Sequence, residues 1–487
     1  MKEQFESLST AILKSLAKSL NIKGYSTMKK DELVNVLVEK ENEQIESDRL
    51  EEEKTRSRTI KKTESVEKEK KDDEGRKEPE KREPEKREPE KREPEKKETE
   101  KKSDEFNPDL DSGIVAKGIL DVVQDGGFGF IRSANFLPGD NDVYVSPGQI
   151  RRLGLKTGDI IEGTTKIKTQ NEKFSAIYVI RKVNGLSPEI ATKRGNFEDM
   201  TPIFPNEKIR LERPGAPVSM RIMDLISPVG KGQRGMIVSP PKAGKTTLLK
   251  DVAKSVKYSN PNMHMIILLI DERPEEVTDI REAIEGPNVE VIYSTFDETP
   301  EHHKRVAEMV IERAKRLVEM KQDVIILLDS ITRLTRAYNQ VIPPSGRTLS
   351  GGLDPAALHM PKRFFGAARN MREGGSLTIL ATALVDTGSK MDDVVYEEFK
   401  GTGNMEIVLD RKLSEKRVFP AIDIPKSGTR REDLLLTPEE MESINSMRKA
   451  FNGLRPEEAV DKVIDLFSKT KNNREFVDMM KKNKILS

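Results

Sequence analysis

Apolar residues recur at helical spacing twice near the start of the chain, as Leu8, Ile12, Leu13, Leu16 and Leu20 and then as Leu33, Val34, Leu37 and Val38, with Gly24-Tyr25-Ser26-Thr27 between the runs. The spacing predicts a small helical bundle over residues 1–45. From 46 to 111 apolar residues almost vanish, and the pentapeptide Lys-Arg-Glu-Pro-Glu recurs at 81–85, 86–90 and 91–95. Proline at every fifth position removes helix hydrogen bonds, and each unit balances its charges, so an extended, disordered polyampholyte insert is expected. An RNA-catching arm would need a net positive charge to release counterions; the local neutrality favours a solvated spacer.

From Gly113 to about Gly185 the pattern changes to short β-like runs between Gly, Asp, Asn and Pro turns: Ile119–Gln124, Phe128–Arg132, Asp142–Val145, Asp159–Lys168 and Phe174–Val183. Five strands in so short a span predict a small barrel over 112–188, with an OB fold the natural candidate. Beyond about Pro188 apolar runs alternate with helical segments: Gly235–Ser239, Met265–Ile270, Val291–Ser294, Val324–Leu328 and Leu377–Ala383. Such alternation predicts a mostly parallel sheet with helices on both faces, occupying 189–487. The expected fold class is therefore multidomain α/β.

The 487 residues suit about three domains. Charged and hydrophobic residues each make up 35%, too polar a balance for every segment to bury a core, which agrees with the unfolded insert. The 85 basic and 84 acidic residues cancel, so any nucleic-acid partner must be read from local sites. The absence of cysteine excludes disulfides, thiolate metal sites and Cys nucleophiles. Neither a signal peptide nor a membrane span is apparent, so a cytoplasmic protein without a membrane partner is expected. The adjacent His302 and His303 fall on an expected helix, where a surface position is favoured over a metal role.

The sharpest chemical signal is Ser239-Pro240-Pro241-Lys242-Ala243-Gly244-Lys245-Thr246, which follows an apolar strand and runs into the helical Thr247–Val256. This is the strand, loop and helix order of a P-loop, with Ser239 where the strict pattern has Gly. Backbone N–H groups surround phosphate oxygens, Lys245 reaches the terminal phosphates and the Thr246 hydroxyl ligates Mg²⁺, so ATP and Mg²⁺ are the expected cofactors, bound by Lys242 to Thr247. Upstream, Gly230-Lys231-Gly232-Gln233-Arg234-Gly235 matches the dinucleotide pattern but precedes a strand instead of following one. As a Rossmann fingerprint it is a false positive; the six residues stay with the nucleotide-binding set as the tight turn feeding the P-loop strand. Two later strands end in acids. Asp329 closes Val324–Leu328 as the carboxylate that holds the Mg²⁺ shell, and Glu272, after Met265–Ile270, is the general base for the attacking water.

These residues resemble the Rho family of bacterial termination factors: the P-loop, Asp271-Glu272-Arg273-Pro274-Glu275-Glu276-Val277-Thr278, Leu328-Asp329-Ser330-Ile331-Thr332-Arg333, Glu397 through Glu406 and Lys416-Arg417-Val418-Phe419-Pro420. The likeness spans essentially everything except the charged insert. It implies a RecA-like ATPase in a homohexameric ring, with ATP between subunits, Phe419 against adenine, Arg430 as the finger from the neighbouring subunit and Arg273 as a nucleotide sensor. It also implies an RNA-dependent 5′-to-3′ translocase, or helicase, that loads on cytosine-rich single-stranded RNA and releases it from the RNA polymerase elongation complex. A finger of this kind is worth about 10³–10⁵ in turnover, because a fixed cation meets charge developing on the γ-phosphoryl.

In the barrel, Gly127-Phe128-Gly129-Phe130-Ile131-Arg132 is similar to the aromatic strand of cold-shock and Rho OB domains, with an extra glycine at 126–127. Alternation puts Phe128 and Phe130 on one face, either stacking bases or filling the barrel core. Asp142-Val143-Tyr144 and Glu172-Lys173-Phe174 match the family's other RNA-contacting stretches, and their carboxylates suit cytosine's amino group. A secondary RNA site is implied at Ser345–Gly352 and Thr387–Lys390, with Arg347, Thr348 and Lys390 reaching phosphates; Arg347 stands where the family pattern has Lys. The competing readings are a rotary-ATPase or recombinase subunit with the same core, and an RNA-binding protein with a relic P-loop.

Overall fold

In the computed structural model, residues 28–30, 34–36, 110–123, 126–133, 135–169, 172–451 and 453–483 are described, and the chain divides into two units, 1–101 and 102–487. Within the first unit Val34 is buried in a short helical stretch. The rest of the expected bundle, and the insert up to residue 109, lie outside the described residues.

The second unit begins with β1 (Asp111–Val122), β2 (Gly129–Arg132), β3 (Val143–Val145), the short helix α1 (Pro147–Arg152), β4 (Ile160–Lys166) and β5 (Ser175–Val183). They close in the order β1-β2-β3-β5-β4 as the expected OB-like barrel, with only β3 and β5 parallel. Leu120, Ile131, Val143, Val145, Ile161, Ile177 and Val183 point inward and form its core. β1 starts eight residues before the expected Ile119: Ile114 and Val115 are exposed, and the register shifts after Asp111, so this stretch carries no burial alternation to read.

The ATPase part is built on β6 (Arg234–Ser239), α2 (Lys245–Ser259), β7 (His264–Glu272), α3 (Pro274–Ala283), β8 (Val289–Thr295), α4 (Pro300–Glu319), β9 (Asp323–Asp329), α5 (Ile331–Val341), β10 (Ser376–Leu384), α6 (Lys390–Lys400), β11 (Met405–Val408) and β12 (Gly428–Thr429). The sheet order is β8-β7-β9-β10-β6-β11-β12, parallel up to β11, with β12 antiparallel on its edge. Met265, Ile267 and Leu269 of β7 face one hydrophobic core while Ile266, Leu268 and Ile270 face the other. A sheet covered on both sides explains why its strands read as unbroken apolar runs.

Helix α4 corrects one expectation. His303 is buried, with its Nδ1 2.6 Å from the Ser294 hydroxyl on β8, because it shares the inner face of the helix with Val306, Ala307 and Val310. The barrel rests on this same helix. A side chain at Gly158 would strike the backbone of Glu312 and Arg313 at 2.5–2.6 Å, and Glu319 of α4 accepts from Lys156 at 3.1 Å and from the Phe197 amide at 3.0 Å. Barrel and ATPase core thus share one unit, although the sequence reading separates them at 188.

Candidate nucleotide and RNA sites

Gly244 precedes α2 with φ +91°, a conformation open to glycine, and this turns the chain so that Lys245 enters the helix at the carboxyl edge of the sheet. Parallel strands carry Glu272 and Asp329 to the same edge. The Lys245 ammonium donates to Glu272 Oε1 at 2.8 Å and to Asp329 Oδ1 at 2.5 Å, and Asp329 Oδ1 also accepts from the Thr382 hydroxyl at 2.7 Å. Burial favours the neutral form of Lys245, but the two carboxylates outweigh it and raise its pKa. Glu272 is pushed up as well, first by burial and then by the charge of Asp329.

The site fits Mg²⁺. Two carboxylates already converge on one cation, and the Thr246 hydroxyl donates to Glu276 at 3.4 Å. Among the described residues no three or more His, Cys, Asp or Glu are grouped to hold a metal alone, so an ion here would share its shell with nucleotide phosphates, as Mg²⁺ commonly does. Lys242, Ala243, Gly244 and Thr247 line a hollow of ≈ 530 Å³ with Pro217, Leu409 and Phe419. Phe419 keeps 49% of its surface exposed there, an open aromatic face for a planar base. Arg273 is exposed at the start of α3.

Arg430 lies elsewhere. Thr429 pairs with Met405, and Met405 with Gly235 at the amino end of β6. The four residue steps from Gly235 to Ser239 span about 13 Å, so Arg430 projects from the end of the sheet opposite its own P-loop. The turn Gly230–Gly235 is at that end too, away from its own P-loop: it feeds the strand from below, whereas phosphate-binding turns leave a strand at the top.

On the barrel, Phe130 pairs with Tyr144 while Ile131 pairs with Val143, so alternation sends the rings outward and the aliphatic residues inward. Phe130 is central: ring centroids lie 5.8 Å away at Phe128, 6.0 Å at Tyr144 and 5.1 Å at Phe174. All four rings are partly exposed and none joins the core, so they do not fill the barrel. Gly126 lies against them: a side chain there would meet the Phe128 ring at 2.2 Å unless the ring moved. Arg132 stacks on Phe130 at 4.9 Å, but its nitrogens are taken by Asp121 and Asp142. Asp142 Oδ1 is buried with no hydrogen-bond partner among the described residues, beside a hollow it shares with Lys173 and Phe174. Glu172 and Lys173 are exposed, and Glu172 accepts from the Thr169 amide at 3.0 Å.

The two loops expected to form the secondary RNA site meet. The backbone at Gly351 packs against Lys390 and Met391, and α5 braces both loops: Arg336 donates to Asp392 and to the Ser389 hydroxyl, each at 2.8 Å, while Asn339 donates to Gly352 O at 3.2 Å. Arg347, Thr348 and Lys390 are left exposed.

Three family descriptions match: the Rho termination factor N-terminal domain over 4–46, its RNA-binding domain over 116–189, and the ATP synthase alpha/beta nucleotide-binding domain over 219–429. Transcription termination factor Rho of Bacillus subtilis is 55% identical over 374 residues, covering 77% of this chain and 86% of its own length. The chain belongs to the Rho family. Rho of Pseudomonas aeruginosa is likewise 55% identical, over 76% of this chain and 88% of its own. Among solved structures, a prototypical ATPase from a bacterial type III secretion system aligns at TM-score 0.49 and 19% identity, over 65% of this chain and 93% of its own.

Membership in the Rho family does not bring out every residue at these sites. Arg333, 3.4 Å from Asp271 and 3.9 Å from Glu272, stands in the family segment Leu328–Arg333 with no role implied for it, and Thr382 on Asp329 has no sequence signal beyond its proximity to a strand end. Arg305 of α4 also pairs with Asp121, tying the helix to the base of the aromatic face. Burial opposes the ionised form of Asp121, and Arg305 with Arg132 outweighs it, leaving its pKa lowered. No helix among the described residues is long and apolar enough to cross a membrane.

Proposed function

We propose that this chain is an RNA-dependent ATPase and 5′-to-3′ RNA translocase that acts in the cytoplasm and terminates transcription by releasing the nascent transcript from RNA polymerase. The observation that carries the reading is the convergence of Lys245, Glu272 and Asp329 at one edge of the sheet, in the same unit as a barrel whose aromatic residues face outward. Six subunits form the ring, and ATP lies between neighbours.

When ATP enters, its terminal phosphates replace the carboxylates as partners of the Lys245 ammonium, and Phe419 covers the adenine. Thr246 and Asp329 would hold Mg²⁺, which supplies neutralising charge to the phosphate oxygens. Released from the ammonium, Glu272 orients the attacking water and takes its proton, Arg273 senses the nucleotide, and Arg430 of a neighbouring subunit meets the charge developing on the γ-phosphoryl. Phe128, Phe130, Tyr144 and Phe174 stack the bases of cytosine-rich RNA, and the free Asp142 oxygen with Glu172 accepts from the cytosine amino group. Arg347, Thr348 and Lys390 contact the backbone in the pore and move with α5, which begins two residues after Asp329.

Steady-state ATP hydrolysis by the purified protein with and without poly(C), beside Lys245→Ala and Phe130→Ala, tests the reading. Strong stimulation of the parent, an inactive Lys245→Ala and a raised RNA requirement for Phe130→Ala are expected. Hydrolysis that ignores RNA would mean an ATPase of this family that RNA does not drive, and no hydrolysis would mark the P-loop as a relic.

A further inference from the structure

The turn Gly230–Gly235, which fits no dinucleotide site and lies away from its own P-loop, has a dense set of bonds that leads to Arg430. Gln233 is buried, and its Nε2 donates to Asn404 Oδ1 at 2.7 Å and to Asn404 O at 3.2 Å. Asn404 Oδ1 also accepts from the Arg234 amide at 2.8 Å, and the Asn404 amide donates to Arg234 O at 2.9 Å. Asn404 O then receives the amide of Arg430 at 2.8 Å. The turn is itself anchored to the sheet, since the Gly232 amide donates to the Thr378 hydroxyl at 2.9 Å and the Ile379 amide to Gln233 O at 2.9 Å.

The other side of Arg430 is fixed as firmly. The Thr429 hydroxyl donates to Pro228 O at 2.8 Å. Arg431 is bound to Asp433 at 3.0 Å and lies 5.4 Å over the exposed ring of Phe204, and Glu432 accepts from Arg448 at 2.7 Å. The Arg430 side chain is exposed and borders a hollow of ≈ 320 Å³ with Lys400 and Lys426. A backbone held on both sides of an exposed cation suits a group that must meet a partner surface at a defined height and angle.

We propose that Gln233 and Asn404 are positioning residues for Arg430: they set where its backbone sits on the sheet edge, and so where its guanidinium reaches the nucleotide of the adjacent subunit. This rests on the reading of Arg430 as the finger acting between subunits. Neither residue touches nucleotide. Both act through the Arg430 amide, so their loss is felt at the transition state and not in ATP binding, and a displacement of about 1 Å at a reacting centre costs up to about 10²-fold in rate.

The test uses the full-length hexamer with Gln233→Leu, Asn404→Leu, Asn404→Asp and Arg430→Ala. Affinity for a fluorescent ATP analogue, kcat for RNA-stimulated hydrolysis, trapping of ADP with aluminium fluoride and hexamer mass are read for each. Gln233→Leu and Asn404→Leu should bind ATP within about twofold of the parent yet lose about 10- to 100-fold in kcat and fail to trap ADP with aluminium fluoride. Asn404→Asp, which keeps the Oδ1 acceptor, should restore most of kcat and the trapping. If the two leucine variants lose ATP affinity and hexamer mass along with kcat, or if Asn404→Asp is as poor as Asn404→Leu, the positioning role is overturned. If Arg430→Ala alone loses turnover while the others match the parent, the positioning role falls and the finger stands; if Arg430→Ala itself keeps kcat, the finger reading fails.

Discussion

At the carboxyl edge of the sheet Lys245, Glu272 and Asp329 expose only 15, 4 and 1% of their side-chain surface and satisfy one another's charge, whereas on the barrel four rings share contacts at 5.1–6.0 Å and leave part of each in solvent. Removing Lys245 from the first group leaves two carboxylates facing each other in a low-dielectric place, so the loss is abrupt. Removing one ring from the second leaves three others and solvent to fill the space, so the loss is graded. The chemistry and the grip are thus set at different tolerances. A buried ion triad enforces one geometry, while a stacking platform accepts successive bases with little demand for registration.

The contrast is broken most severely by Lys245→Ala. ATP turnover should fall by about 10³-fold or more, because a fixed cation beside the transferring phosphoryl is worth at least that much; phosphate release with saturating poly(C) reads it. Glu272→Gln comes next, with ATP binding kept and kcat down about 10²–10⁴-fold, as for loss of a general base. The parent enzyme's pH profile sharpens the same point. Glu272 serves as a base only when ionised, and burial with the Asp329 charge raises its pKa above the ordinary 4.5. Its active form is therefore lost on acidification at a higher pH than for an exposed carboxylate, and the acid limb of kcat/KM should fall above pH 4.5 and disappear in Glu272→Gln.

On the barrel the expected effects are smaller and ordered by ring contacts. Phe130 touches three rings and carries Arg132 over its face, whereas Phe174 touches Phe130 and Lys173. Phe130→Ala should weaken poly(C) binding by about 5- to 150-fold, the value of about 1–3 kcal/mol per stacked base, and Phe174→Ala by less. Fluorescence anisotropy with a labelled oligocytidine measures both, and kcat at saturating RNA should stay near the parent. An abrupt loss of kcat in Phe130→Ala would erase the difference between the two regions.

The same two regions differ in how far they could be read in advance. The P-loop, Glu272 and Asp329 were legible because a parallel sheet buried on both faces writes its strands as apolar runs and ends them at the chemistry. The barrel's strands were legible from turn residues, and Phe128 and Phe130 from alternation, but whether those rings faced in or out depended on which parity filled the core, a tertiary property. What stayed hidden was long-range pairing: Arg305 on Asp121, 184 positions apart, Thr382 on Asp329, and Gln233 on Asn404. β11 and β12 also escaped, being short, with β11 mixed in burial and β12 half-buried on the sheet edge. His303 was misplaced because two adjacent histidines look alike in sequence while a helix turns them about 100° apart.

The least disturbing change expected is deletion of 46–105. Three Lys-Arg-Glu-Pro-Glu units carry equal numbers of positive and negative charges, so the tract is not expected to release counterions from RNA as a basic arm would. The expected contribution is reach, not affinity. RNA-stimulated hydrolysis by the deletion variant should stay within about twofold of the parent at 50 and at 200 mM salt, two conditions over which a protein making several phosphate contacts would lose about 10³-fold or more in affinity. A variant that lost stimulation, with a shallower salt dependence than the parent, would show that the insert grips RNA after all and would add a third region to the comparison, one that binds by charge pattern with neither a buried triad nor a stacked ring.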